Sequence, residues 1–351
     1  MGIVIKNLKE LSHSEWLDFC KGNPNCWLHH KSMIFLPSEQ SLSFALTDDN
    51  RIIAICPLVI EEKIIDRNTF YIGSLFGLSL PSAVISDKVS SESQIKKINN
   101  IICQHINSLA DRHKIAKITF NFSSFLYSGV NSEFLRKELI RYGFLDNSLL
   151  ILLLDLKLSE EEHWKNLSKG HRSILKKFKD STTCEYLNYK NNPLNFEQFS
   201  AMMLKIEKFQ PNHLHYLHEL FKEGNLEISN LVFKQNIVGS AVFLKYGATV
   251  QYHEAERFTN ENIPVHHLIV WDTVKKYQKE RYLFMDLGVF SYNSCLNYTV
   301  SEKSRLVAIF KRGFGAKVLP FIIGEKYFDS GYFDWEYQQR ISAYKKEICS
   351  K

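Results

Sequence analysis

The chain has 351 residues, 45% of them hydrophobic, which is enough to bury sizeable cores and more than one core ordinarily spans, so two domains are expected. Forty-four basic residues against 38 acidic ones leave a formal charge of +6, a mild excess spread over many positions that leans only slightly toward anionic ligands. Seven cysteines with no CxxC pair argue against a zinc ribbon and against a disulfide framework, and they fit a reducing cytosol. The amino terminus turns charged within a few residues, unlike a signal peptide, and apolar runs such as Leu149 to Leu154 fall far short of the ~20 residues needed to cross a bilayer. The expected location is therefore cytoplasmic, with peripheral contact between a basic face and the inner membrane left open.

In chain order, Leu42 to Leu46 and Ile52 to Ile60 read as strands paired across the turn formers Asp48-Asp49-Asn50. Phe70 to Phe76 is a further strand, Gln94 to His113 has helical periodicity, Ile115 to Phe122 returns to strand, and Ser132 to Tyr142 is a helix stopped by Gly143. Leu149 to Leu156 is a dense apolar strand, and Ser159 with Glu162 supplies a capping box for a helix over Glu160 to Lys179. A strand near Cys184 to Tyr189 and helices Phe196 to Lys208 and Leu214 to Glu223 follow. Next comes a hairpin, Glu227 to Phe233 and Ile237 to Tyr246, turning at Lys234-Gln235-Asn236. Thr249 to Ala255 continues the sheet, Pro264 to Arg281 is an amphipathic helix, Tyr282 to Leu287 a strand, Ala308 to Ile322 a final strand region, and Trp335 to Lys346 a charged helix. Each half mixes helices with a hairpin and further strands, which defines a mixed α/β fold class. The expected division is 1–148, 149–330 and a carboxy-terminal helix over 331–351.

Two stretches carry candidate chemistry. In Trp164 to Asp180, WKNLSKGHRSILKKFKD, the residues Trp164, Leu167, Ile174, Leu175 and Phe178 form one apolar face, while Lys165, Lys169, Arg172, Lys176 and Lys179 recur every three or four positions. That stripe is either a solvated helix face or a platform for phosphates on a nucleotide, a lipid carrier or RNA. In Ile309 to Lys317, IFKRGFGAK, two glycines one residue apart permit a tight or bulged backbone beside a ligand, and the neighbouring Lys311 and Arg312 can address an oxyanion. A β-bulge with solvated lysines is the alternative.

With VHHLIVWDTVKKYQKERYLFMDLG between them, these two stretches resemble the FemAB-type branch of the GNAT-like acyltransferases over about Trp164 to Lys317. A looser echo of that family's first domain runs through Asn23-Pro24 to Phe35, Ile55-Cys56-Pro57-Leu58 and Gly77-Leu78-Ser79-Leu80-Pro81. The resemblance implies two GNAT-like domains, each a mixed, mainly antiparallel sheet flanked by helices, of which the first is catalytic or only a scaffold. It implies an enzyme that transfers an acyl or aminoacyl group to an amine of a sugar nucleotide or lipid-linked glycan precursor in cell-wall or polysaccharide biosynthesis. No tightly bound cofactor is implied; aminoacyl-tRNA or acyl-coenzyme A would be the donor co-substrate, with tRNA as a partner in the first case. By the same resemblance Phe310 and Lys311 match the family's Phe-Lys pair, whose lysine steadies the oxyanion of the transferring ester. Lys169, Arg172, Lys176 and Lys177, together with Arg312, Gly313 and Gly315, are the implied substrate contacts. Asp286 in FMDLG matches a strand-end carboxylate, either catalytic or an anchor for the turn at Leu287-Gly288.

An acetyl-coenzyme A site ordinarily places a glycine-rich loop ahead of a helix, where backbone N–H groups and the helix dipole hold the pyrophosphate. Between Arg257 and His267 this chain reads FTNENIPVH, without glycine. In Tyr252-His253-Glu254-Ala255-Glu256, strand alternation sets His253 and Ala255 on one face and the others opposite, with His253 as candidate base or structural residue. His213, His215 and His218 do not share one helix face and lack HExxH order, so no metal site is expected. The rival function is a non-catalytic docking protein whose basic stripe binds RNA or an anionic membrane surface. Acyl-coenzyme A-dependent N-acetyl transfer is a further alternative.

Overall fold

The computed structural model describes residues 2–23, 25–33, 36, 40–122, 137, 139–179, 184–189, 193–205, 211–292 and 294–349. The chain divides into two compact units, one formed by Met1–Leu149, Asn293–Thr299 and Pro320–Lys351, the other by Leu150–Tyr292 and Val300–Leu319. No described helix is long and apolar enough to cross a membrane.

The first unit holds two sheets. One has the order β1 (Val4–Asn7), β2 (Phe44–Asp48), β3 (Arg51–Cys56), β7 (Val84–Ile85). The other runs β4 (Ile60–Ile65), β5 (Asn68–Gly73), β8 (Ile115–Asn121), β17 (Ile323–Tyr327), β9 (Leu145–Asp146), with β6 (Leu80–Pro81) also beside β8. The expected turn after β2 is a two-residue loop in which Asp49 and Asn50 take φ of 49° and 61°, left-handed values that short polar side chains tolerate and that match strand twist. Helices α1 (His13–Gly22) and α2 (Leu28–Ser32) precede the first hairpin, and α3 (Glu92–His113) buries Ile98, Ile102, Ile106 and Leu109 at helical spacing. The helix expected over 132–142 lies mostly outside the described residues.

The second unit is a seven-stranded sheet ordered β11 (Cys184–Tyr189), β12 (Leu226–Phe233), β13 (Asn236–Tyr246), β14 (Thr249–Arg257), β15 (Phe284–Val289), β10 (Leu149–Asp155), β16 (Lys317–Phe321). Its helices are α4 (Glu160–Asn166), α5 (Lys169–Lys179), α6 (Pro193–Lys205), α7 (Pro211–Lys222), α8 (Val265–Lys279) and α9 (Glu302–Arg312). Each unit is mainly antiparallel and includes a strand–helix–strand crossover that yields a parallel pair: β5, α3, β8 in the first and β14, α8, β15 in the second. The core of the second unit gathers Leu152, Leu154, Leu231, Phe243, Val250, Met285 and Leu287 from the sheet against Ile269, Val274 and Tyr277 of α8.

Two expectations are corrected. The helix over 160–179 is two helices: Leu167 leaves helical geometry with ψ of 143°, and the Ser168 hydroxyl accepts the His171 N–H at 3.2 Å to restart the chain as α5. The apolar face survives the break, with Leu167 and Leu175 in the core and Trp164 and Phe178 packed against it; Trp164 meets Trp271 at 5.5 Å. Residues 302–312, which include the start of the expected strand 308–322, form α9, capped by the Ser301 hydroxyl on the Ser304 N–H at 3.0 Å. Strand geometry begins only at Lys317. The apolar run Leu306-Val307-Ala308-Ile309-Phe310 does not distinguish strand from helix by periodicity, and the cap decides.

The carboxy-terminal helix α10 (Ser330–Cys349) packs on β8 and β17 of the first unit. Lys117 lies 2.6 Å from Glu325 and 2.9 Å from Glu336, and Arg340 reaches the same two carboxylates at 2.7 and 2.8 Å. Pairing every charge in this buried quartet avoids the several kcal/mol that a single orphaned ion would cost.

Candidate active site

The parallel pair β14–β15 is in register only over Thr249↔Phe284, Val250↔Met285 and Gln251↔Asp286, although β14 runs on to Arg257 and β15 to Val289. Beyond Gln251 and Asp286 the two strands part, and at that divergence several of the predicted residues meet. Asp286 is 1% exposed; one carboxylate oxygen accepts the Gly288 N–H at 2.6 Å and the other has no hydrogen-bond partner among the described residues. The neighbouring Gln251 likewise has a buried side-chain oxygen without a partner among them. Gly288 takes φ of 87°, and a Cβ there would come within 3.3 Å of the Lys311 ammonium, so the glycine leaves room for that cation.

Lys311 is half-buried near the end of α9 and makes no hydrogen bond or ion pair among the described residues; its ammonium stands 5.4 Å from the centre of the Tyr252 ring. Burial lowers its pKa, while the charges of Asp286 and Glu254 oppose the fall. Burial pushes the Asp286 carboxyl up to about 7, against the lowering effects of the Gly288 N–H and Lys311. A folded pKa above the unfolded one, about 3.9, means that the stability present below that value is lost as pH rises through about 7. Asp286→Asn is therefore expected to resist denaturant better than the native chain at about pH 8, by a few kcal/mol at most, with the gap closing toward pH 4; urea unfolding across that range checks it.

The strand alternation expected for 252–256 is broken by a bulge. Phe243 pairs with Tyr252 and Val242 with Glu254, leaving His253 as the extra residue. Tyr252 and Ala255 consequently both face the core, and Glu254 takes the opposite side. His253 lies 6.1 Å, ring to ring, from His213 of α7. Burial lowers the pKa of His253, Glu254 partly restores it, and Lys311 lowers it again; His213 is pushed down to about 4 chiefly by burial. Both imidazoles are thus held toward the neutral, proton-accepting form.

Phe310 sits apart from this charge cluster, in a ring nest with His171 at 5.5 Å, His267 at 4.8 Å and Phe314 at 5.3 Å. His171 is 8% exposed: its Nε2 donates to the Phe310 carbonyl at 2.9 Å, which fixes the tautomer, and its Nδ1 accepts from the Ser168 hydroxyl at 2.9 Å. A Cβ on Gly313 would lie 2.3 Å from the His171 ring, and one on Gly315, at φ of 83°, would lie 2.7 Å from Asn166. The Gly-x-Gly pattern therefore lets the end of α9 close onto the α4–α5 junction, where the Ser168 N–H donates to the Gly313 carbonyl at 2.8 Å. Sequence reasoning passed over His171, Ser168 and Gln251. The small residues of KRGFG, opposite a histidine flanked by serine and glycine in SKGHRS, were the available signal.

The basic residues separate. Lys169, Lys176 and Lys177 are exposed on α5, whereas the Arg172 guanidinium donates to the Lys165 carbonyl at 2.7 Å and the Leu167 carbonyl at 2.9 Å, covering the end of α4. Arg312 is exposed and lies 5.6 Å from the Phe290 ring. Ahead of α8, the Arg257 guanidinium ties the loop to itself by bonding the carbonyls of Thr259, at 2.9 Å, and Glu261. His218 stacks on Phe196 at 4.6 Å. Among the described residues no group of three His, Cys, Asp or Glu is placed to hold a metal ion.

Two mainly antiparallel units, each with a parallel crossover pair and, in the second, a divergence holding a lone ammonium and a buried carboxylate, define a tandem GNAT-like fold of FemAB type. Solved structures share it along almost the whole chain. FemX superposes with a TM-score of 0.68 at 11% identity, covering 96% of this chain and 100% of its own. A tandem GNAT protein from the clavulanic acid biosynthesis pathway gives 0.56 at 9%, covering 93% and 98%. The carboxy-terminal domain of a putative lysylphosphatidylglycerol synthetase from Agrobacterium fabrum gives 0.52 at 11%, covering 95% and 97%. By sequence the chain matches no protein-family profile and none of the curated proteins.

Proposed function

We propose that the protein is an N-acyltransferase that moves an acyl or aminoacyl group onto the amine of a sugar nucleotide or lipid-linked glycan precursor. The observation that carries this reading is the half-buried Lys311 ammonium, without a hydrogen bond or ion pair among the described residues, at the β14–β15 divergence beside a carboxylate pushed up to about 7. An acceptor ammonium gives its proton to Asp286 or His253. The free amine then attacks the donor's carbonyl carbon, and the oxyanion that forms is held by Lys311. The attack itself makes the C–N bond; collapse of the oxyanion re-forms C=O and breaks the bond to the carrier, Asp286 or His253 returns its proton to the departing group, and the new amide nitrogen releases its remaining extra proton to water. Phe310, held by His171, positions Lys311 through the one helix that carries both. In this reading the donor is aminoacyl-tRNA or acyl-coenzyme A, with the exposed Lys169, Lys176 and Lys177 as contacts for its phosphates. The glycine-free loop closed by Arg257 weighs against acyl-coenzyme A in its usual cradle.

Incubating the protein with charged tRNA, acyl-coenzyme A and a panel of amino-sugar nucleotides, and scoring mass gain of the acceptor, tests the reading. No product from any donor overturns it. The exposed lysines of α5 favour one rival, docking on RNA or an anionic membrane without chemistry. Replacing Lys169, Lys176 and Lys177 together by alanine is expected to weaken donor binding and flatten its salt dependence while leaving the melting temperature unchanged. Salt-dependent RNA or vesicle binding lost in that variant, with no acyl product from the native protein, would establish the rival.

A further inference from the structure

The first unit holds a half-open cavity of 510 Å³, within the range of about 300–1,000 Å³ typical of small-molecule sites. Ile95, Ile102 and Ile106 of α3 form one wall. Phe120, Phe122 and Phe144 form another, their rings in mutual contact at 5.4 to 6.2 Å. An apolar concavity of this size, walled by side chains of a helix and a sheet, has the form of a ligand site. Its polar groups are few, among them Asn25, Asn99 and Ser86. Among the described residues no lysine, arginine or histidine lines it, and the charged lining residue is Asp87, which is exposed to solvent.

We propose that this cavity binds a small molecule with an alkyl body and a neutral or cationic polar end. The isoleucine and phenylalanine walls would receive the alkyl body, with dispersion and burial as the driving terms. An anionic end would be drawn from water toward Asp87, with no lining cation among the described residues to offset the cost, which disfavours carboxylates and phosphates. An ammonium or hydroxyl end can instead be met by the Asp87 carboxylate, the Asn25 and Asn99 amides and the Ser82, Ser86 and Tyr142 hydroxyls, each of which offers an acceptor. The site uses none of the residues assigned to acyl transfer and stands whether or not that reading holds.

Cys103 lines the cavity and is half-buried, whereas Cys295 and Cys349 are exposed elsewhere, so thiol alkylation followed by peptide mass spectrometry reports occupancy on the intact chain. Decylamine, decanol and decanoate, matched in chain length, are the probes. Decylamine and decanol are expected to slow alkylation of Cys103 by N-ethylmaleimide about tenfold at saturation without affecting Cys295 or Cys349, and decanoate to bind about tenfold more weakly. Ile102→Trp, which fills the space, should remove the protection. Equal protection by decanoate, or none by any probe, overturns the proposal, as does protection that persists in a folded Ile102→Trp protein. Should that variant fail to fold, the comparison of head groups on the native chain decides.

Discussion

Replacing Lys311 with methionine is expected to lower acyl transfer by ~10²–10³-fold while the protein stays folded, because the change removes a preorganised cation from where negative charge develops. The ammonium has no hydrogen bond or ion pair to lose among the described residues, and methionine keeps most of the packing of the alkyl stem. Thermal stability should therefore hold or rise, since a desolvated charge has been removed. The Asp286 carboxyl should move further up from about 7, because Lys311 is one of the two influences holding it down. Single-turnover rates with the donor and acceptor pair that gives product, together with the pH dependence of the rate, check both parts. Native-like transfer by Lys311→Met would remove Lys311 from the mechanism.

Gly313→Ala should be strongly damaging for a single added methyl, at a cost of about 2–4 kcal/mol, from overpacking and the loss of buried hydrogen bonds. Its Cβ would stand 2.3 Å from the His171 ring, which is pinned on both nitrogens, by the Phe310 carbonyl and the Ser168 hydroxyl. The ring can move only by giving up those bonds. Two controls separate this clash from a general intolerance of change. Gly170→Ala, with nothing within 4 Å of the new carbon, should be neutral or slightly stabilising within α5. In the double variant Gly313→Ala/His171→Ala, the two costs should fall well short of their sum. Denaturant unfolding of the native chain, the three single variants Gly313→Ala, Gly170→Ala and His171→Ala, and the double variant measures each value.

Much of the fold was legible because it is local. Both hairpin turns, the capping box at Ser159 and Glu162, the apolar strand at Leu149 and the amphipathic helices α3 and α8 follow from residue type and spacing, and the structure contains them. Helix α9 was read partly as strand because LVAIF is equally apolar in either period. The break between α4 and α5 was missed because the apolar spacing on either side continues across it.

Of the candidate site, the residue types were written in the chain: Phe310 and Lys311 before a Gly-x-Gly, Asp286 at a strand end, His253 in a polar run. Their juxtaposition was not. Strand divergence after Gln251 and Asp286, the bulge that ejects His253 from alternation, and the approach of α9 to Tyr252 and Gly288 all depend on partners tens of residues away. Burial is likewise a tertiary quantity, and it sets Asp286 near neutrality rather than in the ordinary carboxylate range. By itself the sequence determined the mixed α/β elements, the turns and the inventory of reactive groups, since these depend on near neighbours and periodicity. Only the tertiary structure decided that β17 and α10 return to the first unit, and which polar groups are left without partners at the strand divergence. Register, desolvation and charge pairing between distant segments exist only once the chain has packed.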